Sequence, residues 1–196
     1  MRVHVVYGNP VPDSLGATLH RTVLDGLARA GHEIDDLDLY AESFSPALSE
    51  AERRGYESSP ANEASVAPYI ARLRAAEALV FCFPTWWYAP PAIVKGYLDR
   101  VLLPGVAFHL PQGGGDIRPG LTHLRKLGVV TTTGSPWWLV RLVMREPNRA
   151  VFMRGLRRLM APRAPGLYLS LYDTDRSTAA SRARYVARVA RAFTTF

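Results

Sequence analysis

Five short apolar runs punctuate this sequence, and stretches with helical periodicity fill the spaces between them. Arg2–Tyr7 (RVHVVY), residues 77–83 (EALVFCF), 127–132 and 167–172 have the near-continuous apolar character of strands buried on both faces. Residues 32–40 alternate around Ile34, Leu37 and Leu39 and make a further strand. Helices are expected over residues 15–30, 68–76, 90–103, 148–160 and 177–193. The first has Ser14 as its N-cap, Leu19, Val23 and Leu27 on one stripe, and Gly31 as its stop. In residues 148–160, Phe152, Leu156 and Leu159 are expected to face inward. The polar residues 41–62, and residues 104–123 with Gly113, Gly114 and Gly115, are expected as long connections. This alternation predicts a parallel sheet covered by helices on both faces, and right-handed crossovers restrict it to a doubly wound α/β topology.

The scale suits one domain over residues 1–196. With 48% hydrophobic residues the chain can bury a sizeable core, which argues against disorder and against a small stapled scaffold. The single cysteine, Cys82, lies inside a strand and is expected to be an inert core thiol in a reducing compartment. The most apolar stretch is interrupted by Pro84, Pro90 and Pro91, too broken to span a bilayer, and the expected location is the cytoplasm. Formal net charge is +7, and it is unevenly placed: residues 141–196 hold twelve arginines against Glu146, Asp173 and Asp175. Arginine outnumbers lysine 22 to 2, which points to solvated helix faces, and no nucleic-acid signature accompanies the charge.

In a doubly wound sheet, ligands bind beyond the carboxyl ends of the strands where the strand order reverses. Three loops therefore carry the candidate chemistry. The first, residues 8–18, joins the first strand to the first helix. A helix N-terminus there can hold a phosphate, with Asn9, the hydroxyls of Ser14 and Thr18, and the backbone of Leu15, Gly16 and Ala17 around it. Equally, Ser14 is explained as an N-cap alone. The loop matches neither G-x-G-x-x-G nor a P-loop. The second loop runs Pro84, Thr85, Trp86, Trp87, Tyr88 and on to Pro91. Three adjacent aromatics at a strand tip exceed what a core plug needs, and prolines stiffen the turn. Such a loop suits a flat heteroaromatic ring, and it equally suits a dimer or lid patch. The third loop holds Thr132, Thr133 and Gly134, followed by Ser135, Pro136, Trp137 and Trp138. Its donors can meet a polar ring edge, or the threonines can simply end a strand, and the paired tryptophans make a pocket wall. The five histidines show no metal-ligand spacing, and Asp99-Arg100 is expected as a structural or interfacial ion pair.

Taken together, the loops resemble the NAD(P)H:quinone oxidoreductase family, the DT-diaphorase-like group. The matching text is Val5-Val6-Tyr7 with Pro12-Asp13-Ser14-Leu15, then Asp38-Leu39-Tyr40 with Phe44. The most specific part is residues 83–102 (FPTWWYAPPAIVKGYLDRVL), which follows F-P-x-x-W-[FY]-x-x-P-A-x-[LV]-K-G-[WY]-x-D-R-V. Thr132-Thr133-Gly134 comes at the place the family pattern expects. The resemblance covers about residues 2–138. It implies a flavodoxin-like fold, a homodimer and a bound flavin, FMN with FAD as the alternative. Ser14, Leu15, Gly16 and Ala17 would surround the phosphate, and Pro84 through Tyr88 would line the ring. Thr132, Thr133 and Gly134 would approach its opposite side, and Trp137 and Trp138 would hold an acceptor. NAD(P)H would be the co-substrate and a quinone-like molecule the acceptor. A second role implied by relatives is that of a flavin-bound ancillary subunit of a potassium-efflux or other transporter. The dimer interface would involve residues 86–91 and the helix 90–103. Two departures stand out: Asn9 replaces a histidine common in the family, and no histidine follows His123, so the family's downstream Tyr and His do not carry over.

Overall fold

The structure is a computed structural model that describes residues 1–111, 113 and 115–196, so Gly114 of the second long connection lies outside the described residues. The chain opens with β1 (Arg2–Tyr7), α1 (Leu15–Arg29), β2 (Glu33–Asp38), α2 (Glu50–Arg54), α3 (Ala67–Ala75), β3 (Ala78–Pro84) and α4 (Ala92–Val101). It continues through β4 (Phe108–His109), β5 (Arg118–Pro119), β6 (Lys126–Thr132), α5 (Pro147–Arg149), β7 (Gly166–Leu171) and α6 (Ala179–Phe193).

The main sheet runs β2-β1-β3-β6-β7 with every pairing parallel. The order reverses between β1 and β3, which is the switch point of this topology. Two clusters fill the two faces. Leu79, Phe81 and Phe83 of β3 join Tyr97 of α4 and Phe152 on one face; Val80 and Cys82 join Val23 of α1 and Phe193 of α6 on the other. This is the period-two alternation of a doubly covered strand. On the second face, Gly26 of α1 lets α6 approach, since a Cβ there would lie 2.7 Å from Phe193 Cβ.

A polar network lies beneath the first face. His4 of β1 is fully buried, 3.1 Å from the Tyr97 hydroxyl and 2.7 Å from Asp35 of β2. Arg72 of α3 donates to Asp35 and Glu42. Burial alone would raise the Asp35 pKa, but hydrogen bonds from His4 and Arg72 outweigh it and hold the carboxyl well below the usual range.

Three expectations need correction. Residues 41–62 are not simply a connection: Ser49 and Glu52 form a capping box on α2, and residues Ala61–Val66 add a 3₁₀ turn. The stretch 104–123 contains the antiparallel pair β4–β5. Asp99 and Arg100 do not pair with each other. Asp99 meets Lys95 one turn away and Arg100 reaches Glu52, because adjacent helical residues point to different faces. Residues 148–160 are helical as expected, but as α5 followed by a π-helical Ala150–Gly155 and a 3₁₀ Leu156–Leu159. Phe152 and Leu156 are buried and Leu159 is partly so.

Candidate functional site

Because β1, β3 and β6 are neighbours in the sheet, the loops that leave them stand side by side along its carboxyl edge. In the first loop, Ser14 caps α1 by accepting from the Ala17 N–H at 3.1 Å. Ser14 Oγ also accepts from Asn9 Nδ2 at 3.0 Å and donates to the Val11 carbonyl at 2.8 Å. The hydroxyl is therefore fully used, and so is the Ala17 N–H. The N–H groups of Leu15 and Gly16 occupy the first two positions of the helix, where no intrahelical partner exists. The first turn of α1 carries no acidic side chain, so its positive end is left open to an anion. Just behind it, the Tyr7 hydroxyl is buried with no hydrogen-bond partner. Burial pushes that phenol's pKa up, with Ser14 pulling the other way.

The second loop is a two-residue hairpin. Trp86 and Ala89 exchange both backbone hydrogen bonds at 3.0 Å, and the residues between them, Trp87 and Tyr88, have φ of 51° and 59°. Positive φ at both central positions is the primed turn normally made by Asn-Gly or Gly-Gly. Here two aromatic residues hold it. Trp87 is 95% exposed, and the Tyr88 hydroxyl lies 3.2 Å from Ser135 Oγ in the third loop. Below the hairpin, the Thr85 N–H donates to the Thr132 carbonyl at 2.7 Å, and the Thr85 and Thr131 hydroxyls are 2.9 Å apart.

The third loop is tied to the sheet's far edge: the Thr133 N–H donates to the Leu171 carbonyl at 2.8 Å. Gly134 has no room for a side chain, since a Cβ would fall 2.5 Å from Asp175 Oδ2. Between the second and third loops lies an open cleft of about 440 Å³, lined by Thr85, Trp87, Tyr88, Thr133, Gly134, Ser135, Pro136 and Asp175. Its volume is in the range of small-molecule and cofactor sites.

A buried layer supports this cleft from behind. Asn148 donates from Nδ2 to Thr85 Oγ1 at 2.8 Å, and its Oδ1 is buried without a partner. Glu146 is buried at φ 50°, accepts from the Tyr172 hydroxyl, and lies 3.9 Å from both Arg141 and Arg149. Burial and the Glu146 carboxylate together push the Tyr172 phenol up to about 12. Asn148, Glu146, Tyr168 and Ser170 line a small cavity of about 10 Å³ together with Thr85 and Thr133.

The structure thus gathers Thr85, Trp87, Tyr88, Thr133 and Gly134 around one cleft. Pro84 and Thr132 end paired strands directly beneath it. Asn9, Ser14, Leu15, Gly16 and Ala17 form a separate cradle at α1, across the switch point. Trp86 holds the base of the hairpin. Trp137 and Trp138 follow Pro136, the third loop's last lining residue, and are exposed. Sequence reasoning missed Asp175, Asn148 and Glu146. Asp175 had a readable signal, because the turn after the fifth strand also opens on the carboxyl edge. Among the described residues no group of His, Cys, Asp and Glu could hold a metal ion.

A family model described as flavodoxin-like fold (Flavodoxin_2) matches residues 1–142. The ribosyldihydronicotinamide dehydrogenase-like protein traD of Penicillium crustosum is 32% identical over 159 residues, 68% of this chain and 58% of its own. The ribosyldihydronicotinamide dehydrogenase (quinone) of Homo sapiens is 32% identical over 126 residues, 56% of this chain and 54% of its own. The chain thus spans a little over half the length of these curated relatives. The solved NAD(P)H:quinone oxidoreductase from Methanothermobacter marburgensis aligns with a TM-score of 0.85 at 24% identity, covering 100% of this chain and 96% of that one. Strand order, switch point and family model agree, and the chain belongs to the flavodoxin-like fold family.

Proposed function

We propose that this chain is a flavin-dependent NAD(P)H oxidoreductase that delivers hydride to a quinone or a similarly flat acceptor by a ping-pong sequence. The observation that carries the reading is the strained Trp87–Tyr88 turn facing Thr133 and Gly134 across a cleft, beside an anion-receptive helix end. The residues fit the cofactor. Leu15 and Gly16 offer unpaired N–H groups for a terminal phosphate, and the buried Tyr7 hydroxyl behind them lacks a partner. The hairpin would supply a flat aromatic wall and the Trp87 and Tyr88 N–H groups, which have no backbone partner among the described residues, and Thr133 and Gly134 would supply the opposite wall. FMN is favoured over FAD because the α1 cradle serves one terminal phosphate. Asn9 would act by holding Ser14 in place, since its side chain is already committed to that hydroxyl and to the Val11 N–H.

The flavin, when bound, supplies the two-electron chemistry, and the protein contributes orientation and electrostatics. Thr85, locked by Thr131 and Asn148, fixes the floor of the cleft. The hairpin N–H groups would stabilise negative charge developing on the ring edge. We place Trp137 and Trp138 at the entrance, where they would stack on flat acceptors, and a second copy of the chain against the Trp86–Pro91 loop and α4.

The test begins with the visible spectrum of the purified protein and the mass of any small molecule released by heat. Flavin bands and an FMN mass, followed by quinone-dependent oxidation of NADH or NADPH, are expected. A colourless protein that takes up neither FMN nor FAD would overturn the reading.

A further inference from the structure

We infer that residues 137–163 form a docking face for an anionic lipid surface. After Pro136 the chain leaves Leu142 at 68% and Val143 at 59% exposure, next to the exposed Met144. Trp137 and Trp138 precede them on the same helical stretch and are also exposed, as is Val151 further on. A run of adjacent apolar side chains in water is unfavourable and marks a surface that is covered in use.

The charge around these residues identifies the cover. Residues 141–163 hold seven arginines and a single acid, Glu146. Arg141, Arg145, Arg149 and Arg154 line a groove of about 410 Å³ with Glu146. Arg154 also opens a second groove of about 450 Å³ with Arg157, Arg158 and Arg163, and no acid lines it. Among the described residues, Arg145, Arg154, Arg157, Arg158 and Arg163 have no ion-pair partner. Each groove has room for a phosphate headgroup, and the apolar residues between Arg141 and Arg145 would enter the acyl boundary. This is the composition of an interfacial segment: basic side chains beside Trp, Leu and Val. No helix among the described residues is long and apolar enough to cross a membrane, so contact is with the surface.

Two other covers fit less well. A nucleic acid would satisfy the arginines but leave Leu142, Val143 and Met144 in water. A second copy packed two-fold through this face would bring the two arginine sets together. The inference does not depend on the flavin reading. If that reading holds, docking brings the mouth of the cleft, at Pro136, close to lipid, where apolar acceptors partition.

The experiment is co-sedimentation of the purified protein with vesicles of phosphatidylcholine alone and of phosphatidylcholine with phosphatidylglycerol. Binding is expected only to the anionic vesicles, weakening as salt is raised. Each of Arg141→Ser and Arg145→Ser should weaken it about fivefold, and Leu142→Ser about tenfold or more. Arg184→Ser with Arg188→Ser, on exposed positions of α6, should change it far less. All five positions are exposed, so the thermal midpoint should hold. Equal binding to neutral vesicles, no binding to either, or RNA binding that survives Leu142→Ser would overturn the inference. So would a dimer in solution that Leu142→Ser dissociates.

Discussion

Replacing Trp87 by glycine removes a side chain that is 95% exposed and frees a backbone held at φ 51°. A non-glycine residue in the left-handed region costs about 1–2 kcal/mol. Glycine gives back part of that gain, about 0.5–1 kcal/mol, through the larger entropy of its unfolded chain. No burial is lost, so the net effect is a stabilisation of about 0.5–1 kcal/mol, or a rise in melting temperature of about 1–4 °C for a chain of this size. Trp87→Ala is the control: it deletes the ring but keeps the unfavourable φ, so its melting temperature should stay at or just below that of the parent. Thermal unfolding of the three proteins, without added flavin, decides the matter. If Trp87→Gly is no more stable than Trp87→Ala, the turn stores no strain and the reasoning fails. In flavin titrations the parent should bind tightest, because Trp87→Ala removes the aromatic wall and the glycine turn no longer holds its N–H groups fixed.

Gly134→Ala should destabilise the fold by about 1–3 kcal/mol, since the new methyl group meets the Asp175 carboxylate. Adding Asp175→Ala should recover most of that loss, and strictly additive melting temperatures would refute the contact. Asn148→Ala removes the donor to Thr85 Oγ1 from a buried site and should cost about 1–3 kcal/mol in denaturant midpoint, together with weaker flavin binding. The acid limb of stability should depend on Asp35, whose folded pKa lies below its ordinary value of 3.8. A depressed carboxylate stabilises above that value and loses its contribution as pH falls below it. Asp35→Asn should therefore lower stability by about 2 kcal/mol at neutral pH and flatten the slope below pH 4, measured by urea unfolding across pH.

The strands were legible because burial on both faces demands continuous apolar residues, as in β1 and β3. The edge strand β2 (EIDDLD) was legible only by alternation, since one buried leucine anchors it. Helix α2 escaped because it buries no side chain and so shows no apolar stripe, although its Ser49-to-Glu52 capping spacing stood in the text. The π-helical turns could not be read, because a widened turn keeps roughly the same apolar spacing. In the candidate site, the aromatic loop stood out because three adjacent aromatics at a strand tip exceed what a core plug needs. The Thr85–Asn148 bond did not, because it joins residues 63 positions apart and neither type is unusual alone. The unpaired arginines of residues 141–163 were visible as a charge excess, but their gathering into two grooves was not.

The floor of the cleft is made of the same rungs that close the sheet. Thr85 and Thr133 donate their amides to Thr132 and Leu171, one step beyond the regular ladders. Those two amide protons should exchange with solvent as slowly as the strand interiors, while those of Trp87 and Tyr88 exchange fast. Removing the floor would mean unzipping β3, β6 and β7 from their ends, so its position is as durable as the fold itself. The hairpin and the Pro136–Trp138 rim hang outside that constraint, and they can be rewritten for a new acceptor while the floor stays where it is.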